Sequence, residues 1–131
     1  MELIEEIKQF HDEMTAWRRE IHQYPELGFE ENRTSDFVAK KLQEFGIEVH
    51  RGLAKTGVVG KISNGDGPMI GLRADMDALP LEEKNSFVHV STYPRKMHAC
   101  GHDGHTAMLL GAAKYLASKK NYHGTINFIF Q

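Results

Sequence analysis

The sequence predicts an α/β sandwich built on a mixed sheet. Two observations predict it. Apolar residues recur at helical spacing near the start, alternate through the middle as strands do, turn helical again, and end in a short alternating run. The resulting order is helix, helix, three strands, helix, strand. Strands joined through a helix should run parallel, with a right-handed crossover.

Each element has its own signal. Leu3, Ile4, Ile7, Phe10, Met14, Trp17 and Ile21 recur at steps of mostly three and four, which is one stripe of a helix running to about His22. Phe10 and Trp17 in that stripe read as core. Pro25 and Gly28 break the helix into a loop. A second helix is expected from about Arg33 to Phe45, carrying Phe37, Val38, Leu42 and Phe45, with Asn32 or Thr34 as its cap and Gly46 as its stop. Alternation then predicts strands at Ile47–His50 and Val58–Ile62. The turn Asn64-Gly65-Asp66-Gly67 leads into a third strand, Met69–Ala74. Leu79-Pro80 ends regular structure, and residues 81–97 read as loop. From His105 to about Ser118 the chain is apolar nearly all round, so this helix should lie buried against the sheet. Gly124 opens the last strand, Thr125–Phe130.

Composition narrows the function. A length of 131 residues is one domain with room for a core, and 40% hydrophobic with 26% charged residues is ordinary for a globular protein. A net charge of −2 offers neither a basic field for nucleic acid nor a cationic face for a membrane. No apolar run reaches the roughly 20 residues of a membrane span, and the first residues lack a signal-peptide pattern. One cysteine allows no internal disulfide, which fits a cytoplasmic setting.

The chemistry concentrates in His98-Ala99-Cys100-Gly101-His102-Asp103-Gly104-His105. Thiolate and neutral imidazole are the donors that divalent transition metals prefer, and Cys100 and His102 lie two apart on a flexible turn. A second loop, just past the third strand, carries Asp75 and Asp77. In an extended segment they share a face, where a carboxylate can ligate a metal or fix the tautomer of a ligating imidazole. Open α/β sheets gather ligands beyond the carboxyl ends of their strands, and both loops belong to that rim. Arg73, Glu82 and Glu83 read as surface or structural charges; His11, His50 and His123 read as solvated.

Arg73–Pro80 and Met97–Met108 resemble two signature segments of the metal-dependent amidohydrolases that include hippurate hydrolase, N-acyl-amino-acid deacylases and plant auxin-conjugate hydrolases. Arg18–Glu31 resembles the N-terminal segment of those enzymes, and Gly124–Gln131 the strand before their catalytic glutamates. The resemblance implies a three-layer α/β/α sandwich of the zinc-peptidase type, holding two divalent ions, manganese or zinc, that cleave the amide bond of an N-acyl-amino acid. It makes Cys100 and His102 metal ligands and Asp77 the catalytic carboxylate that orients or tunes the site, with Asp75 the alternative. His98 or His105 could add a ligand, and Glu31, Arg73, Asp103 and His105 could support the site from behind. The resembling enzymes continue past the position of Gln131 with a glutamate base, a glutamate ligand, later histidine ligands and a lid domain. Residues 1–131 are therefore expected to be the N-terminal part of a catalytic domain, without the lid and dimerisation domain, and weakly active or inactive alone.

Two rival readings stay open. Cys100 could be a nucleophile with His98 or His102 as its base. Alternatively the chain is an inactive module that binds metal, or self-associates through an exposed Thr125–Phe130 strand.

Overall fold

A computed structural model describes residues 4–131. The expected first helix is two: α1 (Glu5–Lys8) and α2 (His11–Gln23), divided at Gln9 and Phe10. Leu3, the first residue of the expected stripe, lies outside the described residues. The break leaves Phe10 half-buried, while Trp17 and Ile21 of α2 enter the core. Helix α3 (Asn32–Glu44) follows the loop at Pro25, and Gly46 ends it at a φ of 76°. Its start is tied down by Glu26, whose carboxylate accepts the Arg33 and Thr34 amides at 2.9 and 2.7 Å.

Strands β1 (Glu48–Leu53), β2 (Gly57–Asn64) and β3 (Met69–Ala74) come next, then α4 (His102–Lys119) and β4 (Gly124–Phe130). The sheet order is β1-β2-β4-β3, with β3 parallel to β4 and the other neighbours antiparallel. The sheet is thus mixed, and the strands joined through α4 run parallel as expected. One expectation holds and one is corrected. The Asn64–Gly67 turn does join β2 to β3, yet the two are not neighbours, because β4 is inserted between them. For the same reason Thr125–Phe130 is no exposed edge: it is paired on both sides, and among the described residues the open edges are β1 and β3.

One apolar cluster holds the molecule together. Ile126, Phe128 and Phe130 alternate inward along β4 and meet Val58 of β2, Val38 and Leu42 of α3, Trp17 of α2, and Leu110 and Ala113 of α4. Gly60 of β2 lies opposite Phe128, and a Cβ there would come within 3.1 Å of Leu42 and Ile47, so α3 sits directly on the sheet. The described residues form the sheet and the helical layer on this face. Burying side chains such as Phe128, Leu42 and Leu110 completely is worth about 1.5–3 kcal/mol each. That packing fixes where α4 begins relative to the ends of β3 and β4.

Candidate metal centre

The site forms where the carboxyl ends of β3 and β4 meet the start of α4. Past Ala74 the chain stays extended along the end of β4: the Gln131 amide donates to Ala74 O at 3.1 Å and the Met76 amide to Gln131 O at 2.8 Å. Met76 is fully buried, so its neighbours Asp75 and Asp77 turn together to the opposite side. The second loop is brought in by a two-way backbone bridge between Leu79 and Met97, at 2.9 and 3.0 Å. Gly101 then turns the chain at a φ of 85°, a left-handed conformation that suits glycine, and His102 is the first residue of α4. The helix was expected to begin at His105. It begins a turn earlier, which places His102 and His105 one turn apart on one face.

His102 is where both loops converge. Its Nδ1–H donates to Asp77 Oδ1 at 2.8 Å and to Asp77 O at 2.9 Å. That fixes the tautomer and leaves Nε2 as the free lone pair, 3.4 Å from Asp75 Oδ2. His105 Nδ1–H donates to Asp75 Oδ1 at 2.7 Å, and the two imidazoles stack with centroids 5.6 Å apart. Burial pushes the Asp75 carboxyl up, but the His105 hydrogen bond, a backbone hydrogen bond and the neighbouring imidazoles outweigh it and hold it below the usual range. Among the described residues, Asp75, His102 and His105 are the set whose donor atoms lie within 4.8 Å of one another. Two imidazoles and a carboxylate suit zinc or manganese, and a carboxylate–imidazole pair behind a free Nε2 is the support such ligands use. The donors present therefore fit a divalent metal.

The remaining expected residues fall around this centre. Cys100 is exposed and free on the loop before α4, outside the convergent set. Arg73 is exposed and reaches Asp75 Oδ2 at 3.6 Å. Glu31 is buried and accepts from the Thr56 hydroxyl at 2.7 Å, next to the small cleft that Asp77 and Gln131 line. Asp103 is buried behind His102, where it accepts from Arg18 and His22. His98 is buried with neither ring nitrogen partnered, and burial drives its pKa down to about 4. His11, His50 and His123 are exposed. Sequence reasoning missed Glu83: its side chain is 2% exposed and accepts from His22 Nε2 at 2.8 Å. An aperiodic loop gives no sign that one of its carboxylates turns inward.

Residues 71–131 match the model of peptidase family M20/M25/M40, a stretch that runs from β3 through the site to the end of β4. The chain is similar to amidohydrolases over nearly all of its length. It is 53% identical to hippurate hydrolase of Campylobacter jejuni across the whole of this chain and 34% of that enzyme. It is 48% identical to the N-acyl-L-amino acid amidohydrolase of Geobacillus stearothermophilus, over 97% of this chain and 36% of that one. The YXEP protein of Bacillus subtilis, described as a dinuclear metal-binding peptidase of the M20 family, superposes with a TM-score of 0.90 at 42% identity, over 95% of this chain and 35% of that structure. The mixed sheet with its helices thus matches the corresponding part of that structure in fold. The chain spans about a third of the length of these relatives.

Proposed function

We propose that this chain supplies part of the metal site of an amidohydrolase that cleaves N-acyl-amino acids, a substrate class named by its relatives. On this reading residues 1–131 are the N-terminal part of a catalytic domain whose lid and dimerisation domain lies outside them, and the enzyme works in the cytoplasm. The observation that carries the reading is the hydrogen bond from His102 to Asp77, which aims a bare Nε2 at the rim where the two loops converge. His102 and Cys100 would hold a divalent ion, manganese or zinc, one of two in the working enzyme. Asp77 accepts a hydrogen bond from His102 Nδ1–H and keeps the ring oriented. Asp75 and His105 stand close enough to His102 to complete the shell. A divalent ion bound there supplies Lewis acidity toward an amide carbonyl and lowers the pKa of water. The alternative is a chain that binds metal or self-associates without turning substrate over.

Element analysis after dialysis tests the reading. The chain is expected to retain a divalent ion, and His102→Ala and Cys100→Ala are expected to lose most of it. A wild-type chain that emerges free of metal from manganese- or zinc-loaded buffer would overturn it. Release of glycine from hippurate in the presence of manganese separates the hydrolase from the inactive alternative. Alkylation of Cys100 that metal does not slow would favour a free nucleophile instead.

A further inference from the structure

The segment Arg18–Glu31 gives no donor to the Asp75–His102–His105 set, yet it delivers a buried charged cluster directly behind it. His22, in the last turn of α2, is 2% exposed and uses both ring nitrogens. Nδ1–H donates to Asp103 Oδ2 at 2.7 Å and Nε2–H to Glu83 Oε1 at 2.8 Å. Only the imidazolium can donate from both nitrogens, so this ring carries a positive charge between two carboxylates. Arg18 Nε, one helical turn earlier, adds a second cation on Asp103 Oδ2 at 2.8 Å. Two cations thus face two carboxylates whose side chains are each 2% exposed. The cluster is neutral overall, and removing one partner would strand a buried charge.

Its other contacts show what it fastens. Glu83 accepts the Ser91 amide at 2.6 Å and the Asn85 side chain at 3.0 Å, so it gathers the loop after Leu81. His98, from the metal loop, packs its unpartnered ring 6.3 Å from that of His22, and Phe87 and His89 close the other sides. Asp103 immediately follows His102 at the start of α4. The Asp103 carboxylate is gripped from behind while the His102 ring is gripped from in front by Asp77.

We propose that His22 is a positioning residue for the metal centre: through Asp103 it fixes the first turn of α4, and with it the aim of His102. This rests on the reading of His102 as a ligand. Nothing in the direct contacts of His102 includes His22, which lies 80 residues earlier in the chain. The relation is therefore a coupling through the backbone of α4. Supporting groups of this kind are worth roughly 10–100-fold in metal affinity.

Cobalt(II) titration followed by its visible absorption tests this on the full chain. His22→Gln and Asp103→Asn should each weaken cobalt binding by roughly 10–100-fold. The double variant should be no weaker than the worse single one, because both act through one path. Leu116→Ala, in the far half of α4, serves as a variant of lowered stability. It should lower Tm and leave cobalt affinity unchanged. In the metal-free chain, nitrogen-15 spectra of the imidazoles should show the His102 Nδ1–H signal shifting or broadening in His22→Gln. Wild-type affinity and an unmoved His102 signal in His22→Gln would overturn the proposal, as would an equal affinity loss in Leu116→Ala. If the wild-type chain binds no cobalt, the metal reading falls, while the imidazole spectra still decide whether His22 positions His102.

Discussion

His22 donates to Asp103 and Glu83 at once, so its protonation is written into the fold. The hydrogen bond to Asp103 raises its pKa most, burial opposes this, and Glu83 adds to the rise. For Asp103, burial acts upward, but the His22 hydrogen bond, the His98 and Arg18 charges and a backbone hydrogen bond take the carboxyl below its ordinary value. The groups facing His22 are Arg18 on its own helix, Asp103 on α4, and Glu83, His89 and His98 from the loops. A raised imidazole stabilises the fold fully below about pH 6.5 and loses that contribution as pH climbs through its folded value. A depressed carboxyl does so above about pH 3.9 and loses it as pH falls. The cluster should therefore contribute most between those values. Urea unfolding from pH 4 to 9 should show His22→Gln costing most near pH 5–6, with the gap to wild type narrowing on the alkaline side. A gap that widens above pH 7 would contradict the assigned charge. The candidate loop stood out in the sequence because its donor types are rare and close together, although the convergent set takes His102 and His105 from it and leaves Cys100 out. The partner of His22 was not, since nothing in residues 81–97 marks Glu83 as the carboxylate that turns inward.

At the scale of elements, the joint between β3 and β4 decides whether the two aspartates reach α4. Gly124 opens β4 at a φ of 105°, and a Cβ there would stand 2.1 Å from Pro68 O, while the Thr125 amide donates to that same oxygen at 3.0 Å. A side chain at this position meets both a disallowed backbone region and a backbone oxygen that cannot move without opening the β3–β4 pair. Gly124→Ala should cost at least about 2 kcal/mol, a fall in Tm of roughly 6–10 °C by calorimetry. It should also loosen Asp75, which follows directly on the register Ala74–Phe130. An unchanged Tm would show that the joint tolerates a shift. Element types and most boundaries could be read from periodicity, because β4 alternates and α3 carries one stripe. The split at Gln9 and Phe10 could not, since the apolar stripe runs across it unbroken. Strand order was equally hidden. Pairing depends on which neighbour completes the hydrophobic face, and nothing local to Asn64–Gly67 says that β4 will enter between the strands it joins.

At the scale of the molecule, the two open edges of the sheet are unequal. The β1 edge carries Glu48, His50 and Arg51 and a register shift between Arg51 and Leu53, features that discourage a further strand. The β3 edge has the sequence Met-Ile-Gly-Leu-Arg-Ala, with one charge. Met69 and Ile70 are 66% and 49% exposed, and Met108 of α4 is exposed as well, beside Leu72 in the cleft that ends at His105. An unpaired, largely apolar edge favours addition of another strand, and we propose β3 of a second copy as that strand in a solution of this chain. An antiparallel pair of β3 strands would extend the sheet across a two-fold axis. Analytical ultracentrifugation of the 131-residue chain should show a concentration-dependent dimer. Ile70→Lys should shift it to monomer without lowering Tm, because the residue is half in solvent and a charge on an edge strand opposes pairing. Glu48→Lys on β1 should leave the dimer intact. A chain that stays monomeric at hundreds of micromolar, or a dimer that survives Ile70→Lys, would place the contact elsewhere.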